Sequence, residues 1–429
     1  MDGRVIQWPP SQLAENASCV AAGFDPALTE FRKGLLLPNR YNASSDAEVF
    51  APIYASNDLT GDPVAGVTGA VIFVHGLAGD ANTYFCDGVQ STRVAGVAAS
   101  VLSVAPWFGN EQVLAGDWLT KSKPTRKSTP RTAIEDDAVS AHWTTSRWLD
   151  GGDASPSPKR YTTSFDVLDA VVNALIRTRE SGRFPNLRNI SINGFSAGAQ
   201  LVSRWAVFSP IDTIRVIVAD GSSYLYLDDT RPAASCTPMH DTGVNHSCAA
   251  FATPSEARIG DCDEWNDYKY GIDNLADLST NVYVAKIVDG GPAALKATVD
   301  RFLQKDLRFI IGDQDICNCR ATGYANSKQY CFPAGTACAP TVYPGCCDTY
   351  PDTTTDNAMS VACSAMLEGS NRLQRALNYC DYLSRLSGQG SAWPRRDFFV
   401  GGHNNSAFYA SAAFNRWAFG LPSRRNGGE

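Results

Sequence analysis

The sequence predicts an α/β fold in which a mostly parallel central sheet is flanked by helices. From Gly69 onwards, short and continuously apolar runs of strand length alternate with helix-like stretches, and the runs lead into turns that contain glycine. Strands of a parallel sheet are buried on both faces, so they appear in a sequence as unbroken apolar runs rather than as alternating ones.

Six runs are predicted to be the strands of this sheet. They cover residues 70–74, 101–105, 189–193, 214–219, 307–311 and 397–400. Helical patterns cover residues 164–179, 197–208, 368–386 and about 406–419.

The chain of 429 residues, 44% of them hydrophobic, is long enough to bury a large core. Residues 1–65 are rich in Pro, Asn and Ser, and we interpret them as an N-terminal extension with edge strands. Residues 66–429 are predicted to form one main domain with two insertions. Residues 225–291 are a candidate lid, and residues 317–363 are rich in cysteine.

Charge and hydropathy exclude some classes of partner. The net charge of −7 and the pI of about 5.3 argue against nucleic acid. No apolar run approaches the roughly 20 residues that a membrane helix needs, so stable membrane insertion is not expected. The first ten residues also lack the pattern of an intact signal peptide.

The cysteines indicate a secreted protein. Of 13 cysteines, seven lie in residues 317–363 at irregular spacings and without a histidine among them, which favours disulfides over a zinc site. The odd number leaves one thiol unpaired or paired between chains. Glycosylation sequons, compatible with a glycoprotein, begin at Asn16, Asn42, Asn189, Asn245 and Asn404. Asn189 precedes a predicted core strand and is not expected to be modified.

The segment Gly194-Phe195-Ser196-Ala197-Gly198 is the strongest sign of chemistry. It matches the G-x-S-x-G pattern between a predicted strand and a predicted helix, which is the context in which this pattern marks a nucleophilic serine. The nucleophile sits on a tight turn, so its neighbours must be small. The start of the following helix would supply the N–H group of Ala197 to a developing oxyanion.

A base and an acid are expected later in the chain. Of the five histidines, His403 follows the last predicted strand and Gly401-Gly402, and it is the expected base. The run 307–311 leads into Gly312-Asp313-Gln314-Asp315, and the spacing of this turn favours Asp315 as the acid over Asp313. Asp220, after the run 214–219, is a third candidate.

Together these segments, with the strand that runs into His75-Gly76, resemble the α/β-hydrolase superfamily and in particular its esterase and lipase branches. The resemblance spans residues 69–419 apart from the insertions. A narrower resemblance, to a group of secreted and largely fungal hydrolase-like proteins, rests on residues 219–226, 312–319 and 363–372.

The resemblance implies a serine hydrolase that cleaves ester bonds through an acyl-enzyme, with Ser196, His403 and Asp315 as the triad. It also implies an oxyanion hole formed by the N–H groups of Leu77 and Ala197, and it requires no metal or organic cofactor. His75 is expected to hold its loop by hydrogen bonding rather than to act in catalysis. The 88 residues from Asp315 to His403 exceed the usual interval, so the Cys-rich segment must loop away from the core.

The substrate is less well defined. Trp107, Trp143 and Trp148 are candidates to line an acyl or aromatic pocket, and core packing is an equal alternative. A small or polymeric ester is expected, but lipids, plant cell-wall esters, polyesters and small acetyl esters are not distinguished, and neither is the oligomeric state. The competing functions are a serine peptidase or amidase, an acyltransferase, and a non-catalytic binding protein on the same scaffold.

Overall fold

The computed structural model describes residues 4–7, 33–38, 48–109, 139–143, 146–154, 162–237, 243–277, 281–316, 360 and 362–420. A ten-stranded sheet forms the centre of this part of the chain. The strands are β1 Arg4–Gln7, β2 Lys33–Pro38, β3 Glu48–Ala55, β4 Gly69–Val74, β5 Val101–Pro106, β6 Val139–Ser140, β7 Asn189–Phe195, β8 Arg215–Ala219, β11 Asp306–Gly312 and β12 Arg395–Phe399, while β9 Arg231–Pro232 and β10 Phe251–Ala252 form a separate pair.

The order of strands across the sheet is β1-β2-β3-β5-β4-β7-β8-β11-β12, with β6 paired to β3. Strands β5, β4, β7, β8, β11 and β12 are parallel neighbours. The first three strands extend this sheet by antiparallel pairing, as expected for edge strands. The six predicted core strands are therefore the six parallel strands.

Helices cover both faces of the sheet. They are α1 Ala81–Val94, α2 Ser164–Glu180, α3 Ala197–Phe208, α4 Glu256–Ile259, α5 Val282–Ile287, α6 Pro292–Phe302, α7 Cys363–Met366, α8 Arg372–Ser387, α9 Asn405–Ala410 and α10 Ala412–Phe419. On β4, Ile72 and Val74 pack into one buried cluster and Val71 and Phe73 into another, so the sheet is buried on both faces. This two-sided burial explains the unbroken apolar runs in the sequence.

Two helices differ from the sequence prediction because polar side chains cap them. α8 begins at Arg372 instead of residue 368, since the side chain of Asn371 accepts a hydrogen bond from the backbone N–H of Gln374. The predicted last helix is two helices, broken at Ser411. Ser411 has an extended backbone (φ −70°, ψ 148°), and its hydroxyl accepts a hydrogen bond from the N–H of Phe414.

Two disulfides lie in the described part of the chain. Cys236–Cys248 is local, whereas Cys262–Cys363 connects the 225–291 segment to the end of the Cys-rich segment.

Some predicted features lie outside the described residues, namely residues 317–359, the sequons at Asn16 and Asn42, and His240. The division into an extension, a main domain and two insertions stays a prediction, as does the lid. Among the described helices, none has the length and hydropathy to cross a membrane.

Candidate active site

Ser196 lies on the turn between β7, which ends at Phe195, and α3, which begins at Ala197. Its backbone has φ 59° and ψ −116°, a conformation that non-glycine residues rarely adopt and that typically costs about 1–3 kcal/mol. The N–H of Ser196 donates to the carbonyl oxygen of Ala219, 2.9 Å away, which ties the turn to the neighbouring strand β8. The side chain is thereby held at the carboxyl end of the sheet.

The glycine after this turn is required by a close approach of two backbones. A Cβ atom on Gly198 would lie 2.3 Å from the carbonyl oxygen of Val74 and 2.7 Å from that of His75. A side chain at this position would therefore push the start of α3 away from the end of β4. This explains the small residue that the motif demands there.

His403 joins Ser196 to Asp315. Its Nε2 atom is 2.7 Å from Oγ of Ser196, and its Nδ1 atom is 2.6 Å from Oδ2 of Asp315. Asp315 is fully buried and His403 is 9% exposed. A hydroxyl, an imidazole and a buried carboxylate in this arrangement can act as a nucleophile, a general base and the group that orients the base.

The turns that carry the acid and the base are bonded to each other. They follow the neighbouring parallel strands β11 and β12, and the N–H of Gln314 donates to the carbonyl oxygen of Gly401 over 3.0 Å. The carboxylate of Asp313 accepts a hydrogen bond from the N–H of Gly401 over 2.9 Å. The structure thus places Asp315 against His403, and it places Asp313, the alternative acid, in the bonding between the two turns.

Burial and one buried cation set the charges of the site. Burial first, and then the positive charge of Arg372, lower the pKa of His403 below its usual 6.5 despite the opposing effect of Asp315. Burial alone would raise the pKa of Asp315, but the charges of His403 and Arg372 outweigh it and lower that pKa. Arg372 Nη1 lies 3.6 Å from Asp315 Oδ1. Asp315 is therefore ionised and His403 neutral at neutral pH.

Asp220, the third candidate acid, lies behind Asp315. It follows β8 with a positive φ of 51°, and its Oδ1 accepts a hydrogen bond from the N–H of Gly312 over 2.9 Å. Burial, and then the charge of Asp315, raise the pKa of Asp220 well above its usual 3.8. Within the described residues, the carboxyl groups of Asp220 and Asp315 and the ring of His403 form the one group close enough to hold a metal, within 4.8 Å. Both ring nitrogens of His403 already have partners, so the ring offers no free nitrogen to an ion.

His75 organises the loop after β4. The backbone N–H of Phe108 donates to its Nε2 over 2.9 Å, and its Nδ1 lies 2.7 Å from the carbonyl oxygen of Gly76. Burial lowers the pKa of His75 to about 4, so the ring is neutral, with Nδ1–H donating to Gly76. The prediction that His75 holds its loop by hydrogen bonding is confirmed. Leu77, the predicted oxyanion donor, follows directly on this loop with its side chain 43% exposed.

The three predicted pocket tryptophans occupy different environments. Trp143 and Trp148 are buried in the core, where Trp148 stacks on Phe108 at 5.4 Å and Trp143 donates its Nε1–H to a backbone carbonyl. Only Trp107 of the three is partly exposed, and its Nε1–H donates to the carbonyl oxygen of Gly79 over 2.7 Å. For Trp143 and Trp148 the packing matches the core alternative.

The residue that sequence reasoning missed is Arg372. In the sequence it belonged only to the narrower resemblance, and no role was assigned to it. It is 1% exposed, and its Nε donates to Oγ of Ser222 over 3.2 Å. Its nearness to Asp315 depends on how α8 packs against the end of β11, and no local pattern reports that contact.

Comparisons with known proteins found similar structures. No protein-family model matches the sequence, and no curated protein has a matching sequence. Poly(aspartic acid) hydrolase-1 from Sphingomonas sp. KT-1 is 16% identical with a TM-score of 0.44, over 90% of this chain and 97% of that one. LpqC, a poly(3-hydroxybutyrate) depolymerase from Bordetella parapertussis, is 15% identical with a TM-score of 0.45, over 91% and 90%. Siderophore hydrolase EstB from Aspergillus nidulans is 10% identical with a TM-score of 0.36, over 91% and 96%.

The topology itself identifies the fold. A serine on the turn from a central strand into a helix, an aspartate after a later strand and a histidine after the last strand follow one another in the order of the α/β hydrolases. Here β7, β11 and β12 supply these three turns, in a parallel sheet with antiparallel strands at one edge. The chain therefore has the fold of the α/β-hydrolase superfamily.

Proposed function

We propose that the protein is a secreted serine hydrolase that cleaves carboxylic ester bonds through an acyl-enzyme at Ser196. One observation carries the proposal: His403 lies 2.7 Å from the hydroxyl of Ser196 on one side and 2.6 Å from the buried carboxylate of Asp315 on the other. A serine hydroxyl becomes a useful nucleophile only when such a base can take its proton.

In the first half of the reaction, Oγ of Ser196 attacks the ester carbonyl carbon as its proton moves to Nε2 of His403. The new Oγ–C bond places a negative charge on the former carbonyl oxygen, and the N–H groups of Leu77 and Ala197 stabilise it. The C–O bond to the alcohol then breaks, and His403 gives its proton to the leaving alkoxide. Each oxyanion donor of this kind typically contributes about 10²–10³ in turnover.

In the second half, His403 takes a proton from water, whose oxygen attacks the acyl carbon. The bond to Oγ breaks, Ser196 recovers its proton from His403, and the carboxylic acid leaves. Asp315 accepts the hydrogen bond from Nδ1–H of His403 throughout. It thereby fixes the tautomer of the ring and stabilises the imidazolium without becoming protonated.

Export is supported by the disulfides. Cys236–Cys248 lies within the 225–291 segment, and Cys262–Cys363 joins that segment to the first residue of α7. Disulfides of this kind persist in oxidising compartments and are rare in the cytosol.

The test compares wild type with Ser196→Ala on p-nitrophenyl esters from acetate to palmitate. We expect cleavage by wild type and none by the variant, with the preferred chain length reporting the size of the acyl pocket. His403→Ala should be inactive as well, and both variants should keep the wild-type circular dichroism spectrum.

A fluorophosphonate probe separates the competing functions if no ester is cleaved. Labelling of wild type but not of Ser196→Ala would favour a peptidase or amidase with the same nucleophile. Absence of labelling would favour a binding protein and would overturn the proposal.

A further inference from the structure

Two carboxyl groups of the site each have one oxygen that receives no hydrogen bond from the part of the chain that the structure describes. Asp315 uses Oδ2 for His403, and Asp220 uses Oδ1 for the N–H of Gly312. Asp315 Oδ1 and Asp220 Oδ2 are buried, and no hydrogen bond reaches either from the described residues. Both side chains are 0% exposed. Buried oxygens that receive no hydrogen bond are costly, even where Arg372 lies 3.6 Å from Asp315 Oδ1, so this pair demands an explanation.

The two carboxyl groups are neighbours in the buried site. A carboxyl oxygen of Asp220, one of Asp315 and a ring nitrogen of His403 all lie within 4.8 Å of one another, and a hydrogen bond between the two aspartates contributes to the pKa of each. Two carboxylates cannot bond to each other, since both only accept. A single proton between them would give each oxygen a partner.

The charge balance favours one proton over none. Arg372 lies 3.6 Å from Asp315 and carries a positive charge, whereas His403 is neutral before the reaction. One guanidinium therefore balances two carboxyl groups. Two buried carboxylates within 4.8 Å of each other repel strongly, and one of them is normally neutralised by a proton. Asp315 is the group that holds its charge, because it has both Arg372 and His403 beside it.

We propose that Asp220 is a protonated carboxylic acid that donates a hydrogen bond from Oδ2 to Oδ1 of Asp315. Asp220 is then a positioning residue: both oxygens of Asp315 are engaged, and its Oδ2 stays directed at Nδ1 of His403. The site carries one carboxylate charge, which is the charge that stabilises the imidazolium. This assignment rests on the proposed function in so far as Ser196, His403 and Asp315 act as a triad.

Substitution of Asp220 shows whether this residue acts as a hydrogen-bond donor to Asp315 or as the carboxylate of the triad. Asp220→Asn keeps the shape, accepts from Gly312 and donates an N–H to Asp315, so its ester turnover should stay within about threefold of wild type. Asp220→Ala removes the donor and should lose about 10–100-fold in turnover. Asp315→Asn, the matched control, should lose about 10⁴-fold, because the amide selects the wrong tautomer of His403. A loss in Asp220→Asn as large as in Asp315→Asn would overturn the proposal.

The acid limb of the kcat/KM profile adds a measurement that a merely structural role would not change. The titratable and charged groups that act on Asp220 or lie beside it are Asp315, His403, Arg372 and Tyr224. Without the donated hydrogen bond the charge of Asp315 is no longer shared with Asp220 and acts more strongly on the imidazolium, so the pKa of His403 rises. The acid limb should move to higher pH in Asp220→Ala and stay in place in Asp220→Asn. An unmoved limb in Asp220→Ala would count against the proposal.

Infrared spectroscopy tests the proton without relying on activity. Wild type labelled with [4-¹³C]aspartate should show an isotope-shifted carbonyl band of a protonated carboxylic acid at neutral pH, and Asp220→Asn should lack it. The label is needed because burial raises the pKa of Glu368 to about 8, and its protonated carboxyl absorbs in the same region. No labelled band in wild type would refute the inference even in an active esterase. The band in a protein without esterase activity would leave the inference standing and count against the proposed function.

Discussion

The carbonyl oxygen of Gly198 lies 2.2 Å from the position that a Cβ atom on Gly194 would occupy. The strand that leads to Ser196 and the helix that follows it are thus so close that no methyl group fits between their backbones. Because the obstacle is backbone rather than a flexible side chain, an added methyl must displace the turn. Gly194→Ala should lower the free energy of unfolding by about 1–3 kcal/mol in chemical denaturation and should reduce ester turnover, since Ser196 moves with the turn.

Gly66→Ala is the matched control for this variant. Its added Cβ would meet only the carbonyl oxygen of Ala99, at 3.7 Å, which is ordinary van der Waals contact. Stability should stay within about 0.5 kcal/mol of wild type and turnover should not change. Equal losses from both glycines would show that the close approach at Ser196 is not the cause.

The two aspartates of the turn after β11 should differ sharply in importance. Asp315→Asn should lower turnover by about 10⁴-fold because the triad needs a carboxylate against Nδ1 of His403. Asp313→Asn keeps an amide oxygen that can accept from the N–H of Gly401, so its loss should be less than about tenfold. Steady-state kinetics on one ester measures both, and the reverse ranking would make Asp313 the acid.

Much of the fold and site could be predicted from the sequence because it depends on local patterns. The six parallel strands are marked by two-sided burial, and Ser196 by a motif whose steric demand is visible in its glycines. Asp315 and His403 each follow a recognisable strand and turn. The spacing of the turn favours Asp315 over Asp313, and the order of the chain favours His403, but the distances that join the two arise only when β11 and β12 become neighbours.

Other features could not be predicted, since they depend on contacts between distant segments. Arg372 reaches Asp315 because Asn371 starts α8 next to the end of β11. The pairing of Cys262 with Cys363, across 101 residues, is one of many that the cysteine count allows. The break of the last helix at Ser411 is a local feature. Ser411 stands in an alanine-rich and aromatic stretch, however, which does not mark it as the cap of α10.

The pH dependence of the reaction should reflect Arg372. Because the pKa of His403 is lowered, the active neutral form persists below pH 6.5, and kcat/KM should fall only as the pH drops through that lower value. Arg372→Met removes a positive charge beside the imidazole, so the acid limb should move to higher pH. Arg372→Lys keeps the charge and should leave the limb near its wild-type position. A limb unaffected by Arg372→Met would mean that burial and Asp315 set this pKa without Arg372.

The number of free thiols tests the secreted state. In the described part of the chain Cys380 is the free cysteine, and it is buried. Titration of the denatured, unreduced protein should find about one thiol per chain, since an odd count leaves one cysteine over. Without denaturant the same reagent should find fewer, because burial raises the pKa of the Cys380 thiol and shields it. More than about three thiols in the denatured protein would contradict the disulfide-linked structure.

The two described disulfides should differ in what they contribute to stability. Cys262–Cys363 closes a span of 101 residues and Cys236–Cys248 one of 12. In the chain-entropy account a link restricts the unfolded state more when it closes a longer loop, with about 4–5 kcal/mol for a loop near 100 residues and about 3 kcal/mol for one near 15. The double variant Cys262→Ser/Cys363→Ser should therefore lose more free energy of unfolding than Cys236→Ser/Cys248→Ser, measured by denaturation without reductant. None of the hydrogen bonds that these cysteines make to described residues involves Ser196, so turnover per folded molecule should be kept in both. A larger loss from the short link would mean that strain or native packing, rather than loop closure, determines the contribution.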